Sequence, residues 1–556
     1  MSCLSGTPTE PLRLTWIQPE DLIGHELRQA AQEGRDVSWA EERWLAAGGH
    51  LAPARAGVSP ANPATGSALR QLALQLLDEL SPFTPSPGLP TSPNATPPTH
   101  LAPGFPTHPN NELSPSTPTP EPPTNPDPTP PTHPTPALPT RPAPGLPSRP
   151  DAASSTHPDP ELPTHPGFDH SARPAFEDRG RRPIRGLGAK PQASQNFGKG
   201  RGGEEDLQHR LHASWLGRAA GCLLGKPVEK LPLQGIRQIA QATGNWPLTT
   251  YFTARGLPDE LHTTYPWNRR SATTSLAENI DGMPEDDDLN YPLLNLLLLQ
   301  RHGRHFRTTD VAKLWLDELP AGRTFTAERI AYRNLLQGLE PPHTARHHNP
   351  FREWIGALIR ADIHGWTNPG APAEAAEQAA RDAELTHTAN GVYGAMFAAA
   401  AIAEAATGSA DVHQALQAGL AEIPPDSRLA RAIRHAIQLA GQHRDFTTVV
   451  DVLHETHGDY HWVHVIPNAA LLAAALTHAD GDFSGSLTRA VSGGWDTDSN
   501  GATAGSLAGL LAGHPDALGE QWTAPLKNRL ATSVADFDGI GFDTLAQLTL
   551  REALRP

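Results

Sequence analysis

Gly493-Gly494-Trp495-Asp496-Thr497-Asp498-Ser499-Asn500-Gly501, followed at once by Ala502-Thr503-Ala504-Gly505, sets two carboxylates two residues apart with a hydroxyl beside the second. Glycines crowd both sides, which lets the backbone turn tightly and approach a ligand. From Gly501 to Gly513 small and apolar residues recur at helical spacing, so the acidic pair sits at the mouth of a buried helix. Hard cations such as Mg²⁺, Mn²⁺ or Ca²⁺ take oxygen ligands, and close carboxylates repel unless a cation lies between them. Capping of free N–H groups explains an Asp or Ser at a helix start equally well. On this stretch alone both readings stand.

A second stretch shifts the balance toward metal. Glu285-Asp286-Asp287-Asp288 precedes Leu289-Asn290-Tyr291-Pro292-Leu293-Leu294-Asn295-Leu296-Leu297-Leu298-Leu299, one of the most apolar runs in the chain. An acidic run is usually a solvated face or a favourable charge at a helix N-terminus. Here it opens into a helix that must be buried, which turns its carboxylates inward. Two oxygen clusters, each at the start of a buried helix, can converge on a two-metal site.

Further motifs appear in order. Gly217-Arg218-Ala219-Ala220-Gly221-Cys222-Leu223-Leu224-Gly225-Lys226-Pro227-Val228-Glu229 reads as a helix with glycine every fourth residue, followed by a turn. Asn390-Gly391 lies within the segment from His387 to Ala401. Ile466-Pro467-Asn468-Ala469-Ala470-Leu471 and Gly481-Asp482-Phe483 follow, before Asp496-Thr497-Asp498-Ser499. With these motifs in this order, the chain from about Arg210 to its end resembles the ADP-ribosylglycohydrolase family. That family includes the dinitrogenase-reductase-activating and ADP-ribosyl-arginine hydrolases.

The resemblance implies an all-α fold: a compact helical domain with a central two-metal cleft. It also implies hydrolysis of the glycosidic bond of an ADP-ribosyl conjugate, the substrate being an ADP-ribosylated protein or a small conjugate. Two Mg²⁺ (or Mn²⁺) ions are implied as cofactors. By residue, Asp286 and Asp287 match the first metal ligands, and Asp496, Asp498 and Ser499 the second set. Glu285 stands where the family usually has Thr or Ser; counted as a ligand, its extra charge is expected to tighten cation binding. Glu229 matches a mobile Glu near the scissile bond in some relatives, and is a catalytic candidate together with Asp498. Its other reading is a surface Glu. His387, Asn390 and Gly391 align with a segment that borders ribose and phosphates. His387 is either a substrate donor or a buried histidine tied to backbone. Trp495 either walls the cleft or fills the core. Asn468 either supports the site or is a satisfied core amide. Tyr460, Trp462 and His464 either stack on adenine or pack inside. Cys222 replaces an Asp that many members carry, and Asp288 stands where Thr is common. A fold that kept its shape and lost hydrolysis is the competing class, along with a metallohydrolase of another nucleoside or sugar phosphate.

The rest of the chain bounds these readings. Its 556 residues allow two or three domains, and 38% hydrophobic content is an average diluted by a proline-rich middle. A net charge of −16 argues against a protein held to nucleic acid by phosphate contacts. Two cysteines, Cys3 and Cys222, make no disulfide framework or zinc site. No basic segment followed by an apolar core opens the chain, and Leu293–Leu299 is too short to span a bilayer, so a cytoplasmic monomer off the membrane is expected.

Residues 10–80 read as a small helical module of unassigned role. Its helix starts at Pro19-Glu20-Asp21, a second stops at Gly48-Gly49, and Leu69, Leu72, Leu76, Leu77 and Leu80 line a third. Seventy residues bury only a marginal core, so a partner surface is expected. Residues 81–203 hold more than half of the 58 prolines and repeat Thr-His-Pro at Thr107, Thr132, Thr156 and Thr164. That composition predicts a disordered, extended linker, with linker drift a better account of the histidines than metal binding. Residues 204–556 carry every chemical motif, and alone are expected to retain hydrolysis.

Overall fold

A computed structural model describes residues 18–51, 63–81, 201–268 and 271–556. The start of the helical module and almost all of the proline-rich stretch lie outside the described residues. Helices α1 (Pro19–Gln32), α2 (Ser38–Ala46) and α3 (Pro63–Leu80) form where the proline start, the glycine stop and the leucine stripe place them. The long helices that build the rest are α4 (Arg201–Gly225), α5 (Asp287–His302), α6 (Ala389–Ala405), α7 (Arg428–Gln442), α8 (Val465–Ala479) and α9 (Thr497–Ala512). Shorter helices connect them. Among the described residues no β-strand forms, only isolated bridges such as Trp354 with His464. The architecture is all-α.

The centre of the fold is the contact between α4 and α9. Gly217 lies against Gly505, Gly221 against Gly501, and Gly225 against Thr497, so the two helices run antiparallel over about two turns. A Cβ on Gly221 would fall 1.9 Å from the Gly501 carbonyl oxygen. Backbone, not side chain, fills that space, and a rigid helix cannot give way. Gly221→Val is therefore expected to prevent folding. Gly221→Ala should cost about 3 kcal/mol or more, read as a lower urea midpoint with an unchanged m-value.

The antiparallel register has a direct consequence for the chemistry. It brings the end of α4, with Lys226 and Glu229 just beyond it, beside the start of α9, with Asp496 and Asp498. Thr497 Oγ1 donates to the Gly225 carbonyl at 2.8 Å and pins the two ends together. Arg218, wholly buried on α4, adds the third element. Its Nε donates to the Asp288 carbonyl at 2.8 Å at the start of α5, and Nη1 pairs with Asp362 at 2.8 Å. Three helix ends thus meet at one place.

The first three helices pack onto the same unit. Helix α1 is buried along most of its length, Leu22, Ile23 and Leu27 being core residues. It meets the main body through Arg352, whose guanidinium pairs with Glu26 at 2.7 Å and Glu33 at 2.8 Å. Gln29 donates to Glu353 at 3.0 Å.

Candidate functional site

A cavity of about 630 Å³ opens where the three helix ends meet. Its wall includes Glu285, Asp286, Asp287 and Asp288 from the start of α5, Asp496, Asp498 and Ser499 from the start of α9, and Lys226, Glu229 and Lys230 after α4. The two acidic stretches, far apart in the chain, are brought together. Ligand oxygens of Glu229, Asp496 and Asp498 lie within 4.8 Å of one another, and so do donor atoms of Cys222, Asp286 and Asp288. These are two candidate acidic metal-binding clusters.

Capping and metal binding separate cleanly once the geometry is known. Asp286 is the N-cap of α5 and its carboxylate accepts from the Asp288 N–H at 2.9 Å. Asp496 is the N-cap of α9, yet its side chain makes no capping bond. Its backbone N–H is held instead by Asn468 Oδ1 at 3.1 Å, and a left-handed Trp495 (φ 57°) precedes it. Asp498 accepts from the adjacent Ser499 N–H at 3.0 Å and also interacts with the Asp496 carboxyl. Capping explains Asp286 and fails for Asp496.

The electrostatics follow from burial. Desolvation, then the neighbouring charges of Asp286 and Asp498, pushes the Asp287 carboxyl well above the usual range. Asp288 is raised in the same way. Desolvation followed by Asp498 and Glu229 does the same to Asp496. Asp498 is pushed up to about 7 by burial, Glu229 and Asp286. Asp286 is the exception: burial pushes it up, but the Lys226 ammonium and its hydrogen bond outweigh burial and hold the carboxyl below the ordinary range. Crowded carboxylates short of positive charge and rich in oxygen suit a hard cation.

Glu285 lines the cavity but its carboxylate is already engaged. Oε1 accepts from Asn290 and from Ser533, both at 3.0 Å, while Arg323 pairs with Oε2 at 2.9 Å. It belongs to neither acidic cluster. Glu285→Gln should therefore change cation affinity less than about threefold, measured by calorimetric titration. A larger loss would return Glu285 to the ligand set.

The expected substrate-binding residues lie elsewhere. His387, Asn390 and Gly391 do not line this cavity. His387 is buried with Nδ1 2.6 Å from Thr386 Oγ1. Asn390 donates to Glu353 at 2.8 Å and accepts from the Leu429 N–H at 3.0 Å, so both ends of its amide are engaged. Gly391 packs against the Arg352 carbonyl. Trp495 turns away from the cavity and stacks on His454 with ring centroids 3.9 Å apart. Tyr460 and His464 lie behind the wall, in contact with each other, whereas Trp462 reaches the cavity with the Lys230 ammonium 5.6 Å from its ring centroid.

Two residues with structural bearing on the site, Lys226 and His454, carry no local sequence signal. Lys226 bonds to Asp286 and to the Glu285 carbonyl, the latter at 3.0 Å. His454 holds the Gly493 carbonyl at 2.8 Å and so clamps the turn before Asp496 from two sides. Asn468 resolves as both alternatives at once. It is a satisfied buried amide, and its Nδ2 donates to Trp462 and His464 carbonyls at 2.8 Å while Oδ1 fixes Asp496.

No curated protein matches the chain. Among solved structures, one titled "ADP-ribosylglycohydrolase-related protein complex" is similar at 19% identity, with a TM-score of 0.41, over 63% of this chain and 100% of that one. A likeness that distant adds nothing to the functional reading. The family match does: a model of the ADP-ribosylglycohydrolase family covers residues 203–553, more than half of the chain and every acidic residue of the cavity. This chain belongs to the ADP-ribosylglycohydrolase family.

Proposed function

We propose that the chain is a hydrolase that depends on divalent cations and releases ADP-ribose from a protein side chain or a small conjugate by cleaving its glycosidic bond. The observation that supports this most directly is the Glu229–Asp496–Asp498 trio, three carboxylates within 4.8 Å whose helix-cap residue makes no capping bond. Asp286 and Asp287 complete the acidic set from the opposite helix, and Ser499 adds a neutral oxygen. Mg²⁺ fits an all-oxygen set of this kind, with Mn²⁺ as the substitute, and two such ions are proposed. Bound cations would supply Lewis acidity and grip on sugar hydroxyls.

The chain's own groups do the rest. Glu229 sits on a turn rather than a helix, held by Asn268 at 2.6 Å and Lys230 at 2.7 Å, and would take a proton from the attacking water as the new C–O bond forms and pass it to the leaving atom as the old glycosidic bond breaks. Trp462 offers a flat face for a base. Lys230 and Arg323, both at the rim, suit the pyrophosphate. A cavity of about 630 Å³ is in the range that holds a ligand of nucleotide size.

The test is product analysis after incubation with a panel of ADP-ribosyl conjugates, with Mg²⁺ and after chelation by EDTA. ADP-ribose release from at least one conjugate, lost on chelation and restored by Mg²⁺, is expected. Release that survives complete chelation would remove the metal from the reading. Failure to act on any conjugate, with cation binding intact, would point to another substrate.

A further inference from the structure

Asp286 and Asp496 occupy matching places, each the N-cap of a buried helix that opens onto the cavity, but their carboxylates are used differently. Asp286 commits one oxygen to the Asp288 N–H at 2.9 Å and the other to the Lys226 ammonium. That ammonium also donates to the Glu285 carbonyl at 3.0 Å and is buried within the cavity wall. Asp496 is free of any capping bond, and among the described residues the ion pair on its side of the cavity is that of the half-exposed Lys230 with Glu229.

From this asymmetry we infer that Lys226 is a built-in counter-ion which makes the two ends of the acidic set unequal toward divalent cations. The first cation enters at Asp496 and Asp498, beside Glu229. A cation reaches Asp286 only by displacing Lys226. This rests on the metal reading above and goes beyond it, because that reading alone leaves the two positions equivalent.

The backbone that carries Lys226 is fixed. It follows Gly225, which packs on Thr497 without room for a Cβ and is hydrogen-bonded to Thr497 Oγ1 at 2.8 Å. The turn Lys226–Val228 is itself buried. Lys226 is therefore delivered to Asp286 by the same helix contact that delivers Asp496 and Asp498. Met in its place keeps most of the stem's length and volume but carries no charge. Asp286 would then be a buried carboxylate with no counter-ion, a position a divalent cation can fill.

Calorimetric titration of the full chain with Mg²⁺, and Mn²⁺ counting by electron paramagnetic resonance, test this. The natural chain is expected to bind one cation tightly and a second at least about tenfold more weakly. In Lys226→Met the second affinity should rise at least about tenfold, while Lys226→Arg keeps the inequality. Two equal cations in the natural chain would overturn the role of Lys226 and leave the proposed function standing. So would a Lys226→Met protein that keeps the original inequality, since mutual repulsion of the cations would then account for it. If Lys226→Met does not fold, Lys226→Gln serves as the neutral variant, and the natural chain's own titration still decides on the first count. Absence of any cation binding in the natural chain would sink the metal reading and this inference together.

Discussion

Asp498→Asn should lower ADP-ribose release by about a thousandfold or more while the chain stays folded. Asp498 stands in the first turn of α9, with Glu229 and Asp496 oxygens within 4.8 Å. An amide keeps the shape of the carboxylate and its acceptor oxygen for the Ser499 N–H, but it cannot balance cation charge. The same change should stabilise the chelated protein. Burial, Glu229 and Asp286 push Asp498 up to about 7, so the folded chain holds a proton there that the unfolded chain releases at a lower pH. Between the ordinary carboxylate range and about pH 7 the folded state is thus the more protonated, and its stability falls as pH rises through that window. Asparagine has no proton to lose and removes that decline. Urea melts in EDTA at about pH 5 and pH 8 should show a loss of stability in the natural chain and a smaller one in the variant. Activity near that of the natural chain at saturating Mg²⁺ would exclude Asp498 as a ligand.

Why Asp498 was legible from the sequence and Lys226 was not has a physical explanation. Acidic residues at the mouth of a helix that is itself apolar have few ways to be satisfied, so a short stretch carries its own chemical message. Glycine every fourth residue from Gly217 to Gly225 likewise announces close helix packing. A polar side chain inside an alanine-rich helix announces only that it has a partner. Which partner depends on elements far away. Asn390 looked able to face a ribose, yet its amide is taken up by Glu353 and Leu429, 37 and 39 residues distant. Lys226 meets Asp286 across 60 residues, and Asn468 meets Asp496 across 28. Glu285 seemed a ligand by its place in the acidic run, and was claimed by Arg323, Asn290 and Ser533 because they arrive from elsewhere in the fold.

The same limit applies to the first eighty residues, where the second large effect is expected. Every chemical motif lies in 204–556, which argues that this segment suffices; the contacts of α1 argue otherwise. Arg352 is buried with its guanidinium shared between Glu26 and Glu33, and Gln29 bonds the adjacent Glu353. His25 packs edge-on against Phe351 and Trp354, with centroids 5.2 and 5.6 Å away. Beyond these residues the wall of the cavity begins. Ile355 N–H donates to the Val463 carbonyl at 2.9 Å, Val465 N–H donates to the Glu353 carbonyl at 3.1 Å, and Ile355, Gly356, Trp462 and Val463 line the cavity.

Cutting the chain to 204–556 strips both carboxylates from Arg352 and uncovers Phe351 and Trp354. The truncated protein is expected to melt well below the full chain or to aggregate. Any soluble fraction should bind substrate more weakly, because Trp462 and Val463 lose their backing. A sharper variant keeps α1 and removes only charge. Glu26→Gln with Glu33→Gln leaves Arg352 buried without an anion, at a cost of about 3–5 kcal/mol. Adding Arg352→Met to that pair should recover much of the loss, since a neutral side chain of similar length needs no counter-ion. Recovery on adding Arg352→Met would distinguish the buried charge from a mere loss of packing. Full stability and unchanged KM in the 204–556 segment would show instead that α1 is an accessory, and that the wall of the cavity holds its shape without it.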